Sequence, residues 1–109
     1  QLLSDAVFLK GARIVKNKLG VTKEMEQDFE KMLTPPPDGY FSKAVDMIVN
    51  WQNEEYPSSV FHIQGKADEI LPFKKEVEYD YIVQDGSHMM VMDRGEEISE
   101  VINRELEKL

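Results

Sequence analysis

The chain contains no cysteine, only two histidines and a single tryptophan. Without thiols there is no disulfide framework and no cysteine nucleophile, and two imidazoles are too few for a His-rich zinc centre. Positive charge is also scarce. Thirteen Lys and Arg stand against 21 Asp and Glu, a net charge of −8. A nucleic-acid phosphate backbone would be repelled by that excess, which reads instead as a solvated acidic surface. Long apolar runs are missing, against the about 20 residues needed to span a bilayer. Gln1-Leu2-Leu3-Ser4-Asp5 lacks the basic start and apolar stretch of a signal peptide. Neither a membrane nor a nucleic-acid partner is expected, nor any cofactor or metal ion. At 109 residues the expectation is one cytoplasmic α/β domain with a modest core.

The one strong breaker cluster is Thr34-Pro35-Pro36-Pro37-Asp38-Gly39, which neither a helix nor a central strand can cross. Before it, Val7, Phe8, Ala12, Ile14, Val15 and Leu19 form a helix-compatible stripe over Asp5 to Leu19, with Gly20 as the stop. Thr22 can cap a second helix, in which Met25, Phe29, Met32 and Leu33 form an apolar face that reads as packing rather than a cofactor box. After the prolines, Tyr40 to Gln52 reads as a third helix. Phe41, Ala44, Val45, Ile48 and Val49 form its buried face, with Trp51 at its end.

The period then changes. Ser59 to Ile63 is β-branched and aromatic and precedes Gly65, a strand pattern. Glu76 to Val83 reads as a second strand, with Val77, Tyr79, Tyr81 and Val83 on one side and Ile82 on the other, and Gln84-Asp85-Gly86 turns the chain. Asp93 and Glu96 suit a capping box opening a last helix, with Ile98, Val101, Ile102, Leu106 and Leu109 on one face. Asp68 and His88 thus fall just past the carboxyl ends of two strands, the rim where open α/β sheets form their sites. An Asp orienting an imidazole is the supporting pair of an acyl-transfer triad.

Those segments carry a resemblance. His62-Ile63-Gln64-Gly65-Lys66-Ala67-Asp68-Glu69-Ile70-Leu71-Pro72 resembles the acid-bearing loop of α/β-hydrolase-fold enzymes, an apolar strand followed by His-Gly-x-x-Asp-x-x-x-Pro, with Gln64 where a His is common. Gly86-Ser87-His88-Met89-Met90-Val91 followed by Asp93-Arg94-Gly95-Glu96-Glu97-Ile98 resembles that fold's histidine loop and closing helix. The lead-in from Phe41 to Pro57 is similar to that of small bacterial members. The resemblance covers about residues 40–109. Residues 1–39 match only loosely, as helices like those that cap such sites.

The resemblance implies a C-terminal part of an α/β-hydrolase fold: a helical cap-like segment over 1–39, then two parallel strands with surrounding helices over 40–109. It implies Asp68 and His88 as the acid and histidine of a Ser-Asp-His triad acting on an ester or other acyl-type small molecule. The fold's order of Ser, acid, His places the nucleophile upstream of Asp68, yet no Gly-x-Ser-x-Gly occurs. Ser4, Ser42, Ser58, Ser59 and Ser99 lack glycine flanks, and Ser87 is the immediate neighbour of His88. The glycine-rich oxyanion loop is missing as well. The expected partners are therefore an N-terminal half of the same protein or a second copy in a homodimer, since an unpaired Ser59 to Ile63 edge invites pairing. The link from Asp68 to the next strand is near the minimum for a parallel crossover, so its helix should be vestigial.

Plainer readings accompany these residues. His88 suits a solvated loop, and Asp68 suits a turn cap before Pro72. Glu69 is the alternative acid, and His62 reads as a packed core histidine. Gly86-Ser87-His88-Met89 also spells a cloning scar, but such scars sit at chain ends and this one runs into a helix. Met89, Met90 and Met92 read as packing around a site entrance. The alternative function is a non-catalytic acidic α/β interaction module that works by self-association.

Overall fold

The computed structural model describes residues 4–34 and 37–109; Gln1 to Leu3, Pro35 and Pro36 lie outside the described residues. The described residues show helices and a small parallel two-stranded sheet, a mixed α/β class. They divide into two compact units, one drawn from Gln1–Lys16 and Lys23–Val60, the other from Asn17–Thr22 and Phe61–Leu109. The helix that follows the prolines packs on the first helix of the chain and belongs to the first unit.

The first unit holds α1 (Asp5–Ile14), a 3-10 turn (Lys23–Met25), α3 (Glu26–Met32) and α4 (Tyr40–Val49); α2 (Lys16–Leu19) leads out of α1. The stripe expected to run unbroken to Leu19 is interrupted at Val15, whose ψ of 7° ends α1. Two successive β-branched residues, Ile14 and Val15, lower helix propensity there. Ser4 caps α1 by accepting from the Val7 N–H. Gly20 terminates α2 with a φ of 84°, a left-handed conformation that glycine adopts without steric cost. Thr22 precedes the 3-10 turn rather than capping an α-helix, and α3 begins at Glu26 without a side-chain cap.

Leu9, Met25, Phe29 and Leu33 are the buried apolar side chains of this unit. Each is worth about 1.5–3 kcal/mol relative to exposure. Met32 of the expected stripe is exposed. Phe8 stacks on Phe41 at a ring separation of 4.1 Å, joining α1 to α4 near the start of α4. The buried face expected for α4 extends no further. Phe41, Ala44 and Val45 are half-buried, but Ile48 and Val49 are each 74% exposed, and Trp51 lies exposed after the helix.

The second unit is built on β1 (Ile63–Gly65) and β2 (Tyr81–Val83), parallel neighbours in the register Ile63–Tyr81, Gln64–Ile82, Gly65–Val83. Both strands are shorter than their sequence patterns. Asp80 explains one end: its carboxylate accepts the His62 N–H at 2.6 Å, and its own N–H donates to the His62 carbonyl, so pairing starts there. Val77 closes a turn on Lys74, and the Tyr79 hydroxyl accepts the Lys74 N–H, which folds 76–79 away from the ladder. The crossover contains turns and no helix. His62 is exposed rather than packed in a core, its ring edge-on to Tyr79 at 4.7 Å.

α5 (Met90–Asp93) and α6 (Gly95–Leu106) close the unit. The expected capping box is absent: Asp93 ends α5, and Arg94 precedes α6 without a side-chain cap. Helical bonding already begins at Met89, whose carbonyl accepts from Met92 N–H, so Asp93 falls inside a turn rather than ahead of one. Val83, 1% exposed, is the most buried side chain of this unit, and Ile98 and Val101 are buried as well; Ile102, Leu106 and Leu109 of the expected face are exposed. The Tyr81 hydroxyl donates to Glu97 at 2.8 Å and ties β2 to α6. That carboxylate, followed by partial burial, raises the Tyr81 phenol above its usual value. Among the described residues no helix is long and apolar enough to cross a membrane.

Candidate active site

The site is assembled at the carboxyl ends of β1 and β2. Beyond Gly65 and Val83 the ladder continues into the loops: Lys66 N–H donates to the Val83 carbonyl at 2.9 Å and Ala67 N–H to the Gly86 carbonyl at 3.0 Å. These bonds bring the loop bearing Asp68 against the loop bearing His88. Two glycines make the approach possible. A β-carbon on Gly65 would overlap the Gly86 carbonyl, and one on Gly86 would lie 2.9 Å from the Val83 side chain. The Met90 sulfur packs over both glycines, 3.1 and 2.8 Å from where their β-carbons would be.

The second unit also borrows a piece of the N-terminal third. Met89 N–H donates to the Leu19 carbonyl at 3.0 Å, and Gly20 runs directly against the Ser87 side chain. The Ser87 hydroxyl accepts from Met89 N–H at 3.2 Å, and the Ser87 carbonyl accepts from Met90 N–H. The Gly-Ser-His-Met stretch is thus a packed turn inside the fold. Nothing in the sequence near Gly20 signals this contact beyond the glycine itself.

Asp68 and His88 meet. Asp68 Oδ2 lies 3.0 Å from His88 Nδ1. The other oxygen, Oδ1, accepts from Ile70 N–H at 2.8 Å and Leu71 N–H at 2.9 Å. The turn-cap and imidazole-facing readings of Asp68 therefore hold together, one on each oxygen. The Asp68 side chain is 9% exposed and that of His88 32%. Burial pushes the Asp68 carboxyl up, but the Leu71 N–H, the His88 imidazole and the Ile70 N–H outweigh it and hold the carboxyl below its usual value. An ionised carboxylate can only accept, so Nδ1 carries the proton and the Nε2 lone pair of neutral His88 is left to take one. Glu69 is exposed and His88 pairs with its neighbour instead.

Gln64 holds the acid loop from β1. Its Nε2 donates to the Leu71 carbonyl at 2.8 Å and to the Gly65 carbonyl at 3.0 Å. In sequence this residue stands out only as a departure from the His-Gly pattern. Met89 and Met90 are half-buried beside His88. Among the described residues no three His, Asp or Glu side chains converge to hold a metal ion. No family model, curated protein or solved structure matches the chain. The geometry of the Asp68–His88 pair and the motif resemblance carry the functional reading.

Proposed function

We propose that the chain supplies the acid and histidine of a serine hydrolase of the α/β-hydrolase type, acting on an ester or other acyl-type small molecule. The observation that carries this reading is the 3.0 Å Asp68 Oδ2–His88 Nδ1 contact, made by loops that follow adjacent parallel strands. Asp68 fixes the imidazole in the Nδ1–H tautomer and stabilises its cation. His88 Nε2 takes the proton of a serine hydroxyl as that oxygen attacks the acyl carbon, then returns it to the leaving group. Water, deprotonated by the same nitrogen, releases the acid. The serine and the oxyanion donors come from polypeptide outside these residues: the sequence has no Gly-x-Ser-x-Gly elbow and no glycine-rich oxyanion loop, and the Ser87 oxygen bonds to Met89 N–H rather than to His88. Extending the coding DNA upstream of Gln1 tests this. A strand followed by Gly-x-Ser-x-Gly is expected, and the longer product should hydrolyse an activated aryl ester and lose that activity in His88→Ala. A start codon adjacent to Gln1, or unchanged turnover in His88→Ala, rejects the proposal.

A second reading, an association module, draws on the exposed Met47, Ile48, Val49 and Trp51. Light scattering over a range of concentrations distinguishes it. A mass constant at that of the 12.6 kDa chain removes this reading.

A further inference from the structure

We infer that Gln64 is the positioning residue of the Asp68–His88 couple, acting through the main chain of Leu71. This inference rests on the catalytic reading of that couple and extends it to a residue in the strand beneath.

The path consists of consecutive hydrogen bonds. Gln64 Nε2 has two hydrogens and uses both, one on the Gly65 carbonyl and one on the Leu71 carbonyl. Both partners are carbonyl oxygens, which only accept, so the amide nitrogen and not its oxygen must face them. The two carbonyls lie at the two ends of the acid loop. One nitrogen therefore closes the loop across its base. Leu71 is the shared member: its carbonyl accepts from Gln64, and its N–H donates to Asp68 Oδ1 at 2.9 Å. Asp68 Oδ2 then meets His88 Nδ1. Gln64 itself sits in the middle of β1, paired in register with Ile82, so the clamp is mounted on the sheet rather than on a loop.

The residue type follows from this geometry. A primary amide is the smallest neutral side chain that offers two donors on one atom. A neutral imidazole carries one N–H and can satisfy only one of the two carbonyls. A carboxylate offers no donor and would set negative charge against both oxygens. Without the clamp, the Leu71 N–H is free to leave Asp68. The carboxylate then loses one of the donors that fix its rotation, and Oδ2 no longer addresses Nδ1 in a single orientation.

The test uses the chain as it stands, with nuclear magnetic resonance as the readout and no enzymatic assay. The quantities are the amide–water exchange rates of Ile70 and Leu71 relative to Lys66 and Ala67, and the fraction of neutral His88 with its proton on Nδ1, read from the imidazole 15N shifts. In Gln64→Ala and Gln64→Glu, the Leu71 rate relative to Lys66 should rise about tenfold, the scale of one lost hydrogen bond, and the Nδ1–H fraction should fall toward that of Asp68→Asn. Gln64→His should lie between these variants and the parent. Unchanged rate ratios and tautomer fraction overturn the inference. So does a uniform rise in all four rates, which would make Gln64 a general stability residue. If Asp68→Asn leaves the tautomer unchanged, the failure belongs to the Asp68–His88 couple. If Asp68→Asn shifts it and the Gln64 variants do not, only the role of Gln64 fails.

Discussion

Gly65 passes so close to the carbonyl of Gly86 that a β-carbon on the first would overlap the second. The contact is backbone against backbone, so neither side can yield by rotating a side chain. It sets the spacing of the acid and histidine loops, because Ala67 N–H reaches that same Gly86 carbonyl and Asp68 follows directly.

Gly65→Ala should therefore destabilise the second unit by about 1–3 kcal/mol, the range for overpacking a filled site, with a lower urea midpoint and an unchanged slope. Gly11→Ala is the control. Gly11 lies within α1, and a β-carbon there meets nothing within 4 Å. It should gain about 0.5–1 kcal/mol, because alanine favours the helix interior more than glycine does. Equal behaviour of the two variants would show that the Gly65–Gly86 approach does not constrain the fold.

Asp68 should make stability depend on pH in one direction. Its folded-state carboxyl is held below the ordinary value of 3.8. Its contribution is therefore fully present above that value and is lost as pH falls through the lowered folded-state value. The stability difference between the parent and Asp68→Asn should shrink as the pH falls below about 4. Urea denaturation at a series of pH values measures it. A difference that grows between about pH 4 and pH 2 would reverse the assigned sign.

The elements legible in the sequence were those whose signals are local. Gly20 and the spacing of Met25, Phe29, Met32 and Leu33 marked a helix end and a buried face; the end is present, and of the face Met25, Phe29 and Leu33 are buried while Met32 is exposed. The parallel strand pair and the meeting of Asp68 with His88 followed from where two strand patterns ended. What failed was extent. The apolar run of α4 continues through Ile48 and Val49, but its stacking partner Phe8 meets it at Phe41, and periodicity does not say how far a partner reaches. β2 lost residues 76–79 to the turn at Lys74, where a hydroxyl five residues on takes the Lys74 N–H. Clamps that join distant segments, such as Gln64 on Leu71 or Leu19 on Met89, carry no periodic signature.

Asp5 was legible only as the first residue of a helix, yet it serves a second one. Its two carboxylate oxygens accept from Gly39 N–H at 2.8 Å and Phe41 N–H at 3.1 Å, donors at the start of α4 left over by the helix itself. Gly39, with a φ of 76°, has no side chain to cap them. Asp5→Ala should cost about 1 kcal/mol, as loss of an N-cap does, and Asp5→Asn should recover part of it by keeping one acceptor oxygen. Circular dichroism during urea unfolding reports both. Equal stability of Asp5→Ala and the parent would remove the cap from the account of this unit.

The chain alone should not hydrolyse an activated aryl ester above the buffer rate. An Asp-oriented imidazole gains its advantage by taking a proton from a nucleophile held beside it, and His88 has Asp68 as its side-chain partner while the neighbouring Ser87 hydroxyl accepts from Met89 N–H. No strand-to-helix serine elbow exists in the sequence to provide that nucleophile. The sequence has no glycine-rich oxyanion loop either, and one lost oxyanion donor already costs about a hundred- to a thousandfold in rate. The parent, Ser87→Ala and His88→Ala should therefore give the same slow release of the aryl alcohol. Turnover that survives Ser87→Ala and disappears in His88→Ala would mean that the imidazole works with water or another group within these residues, and the requirement for a serine from elsewhere would fall.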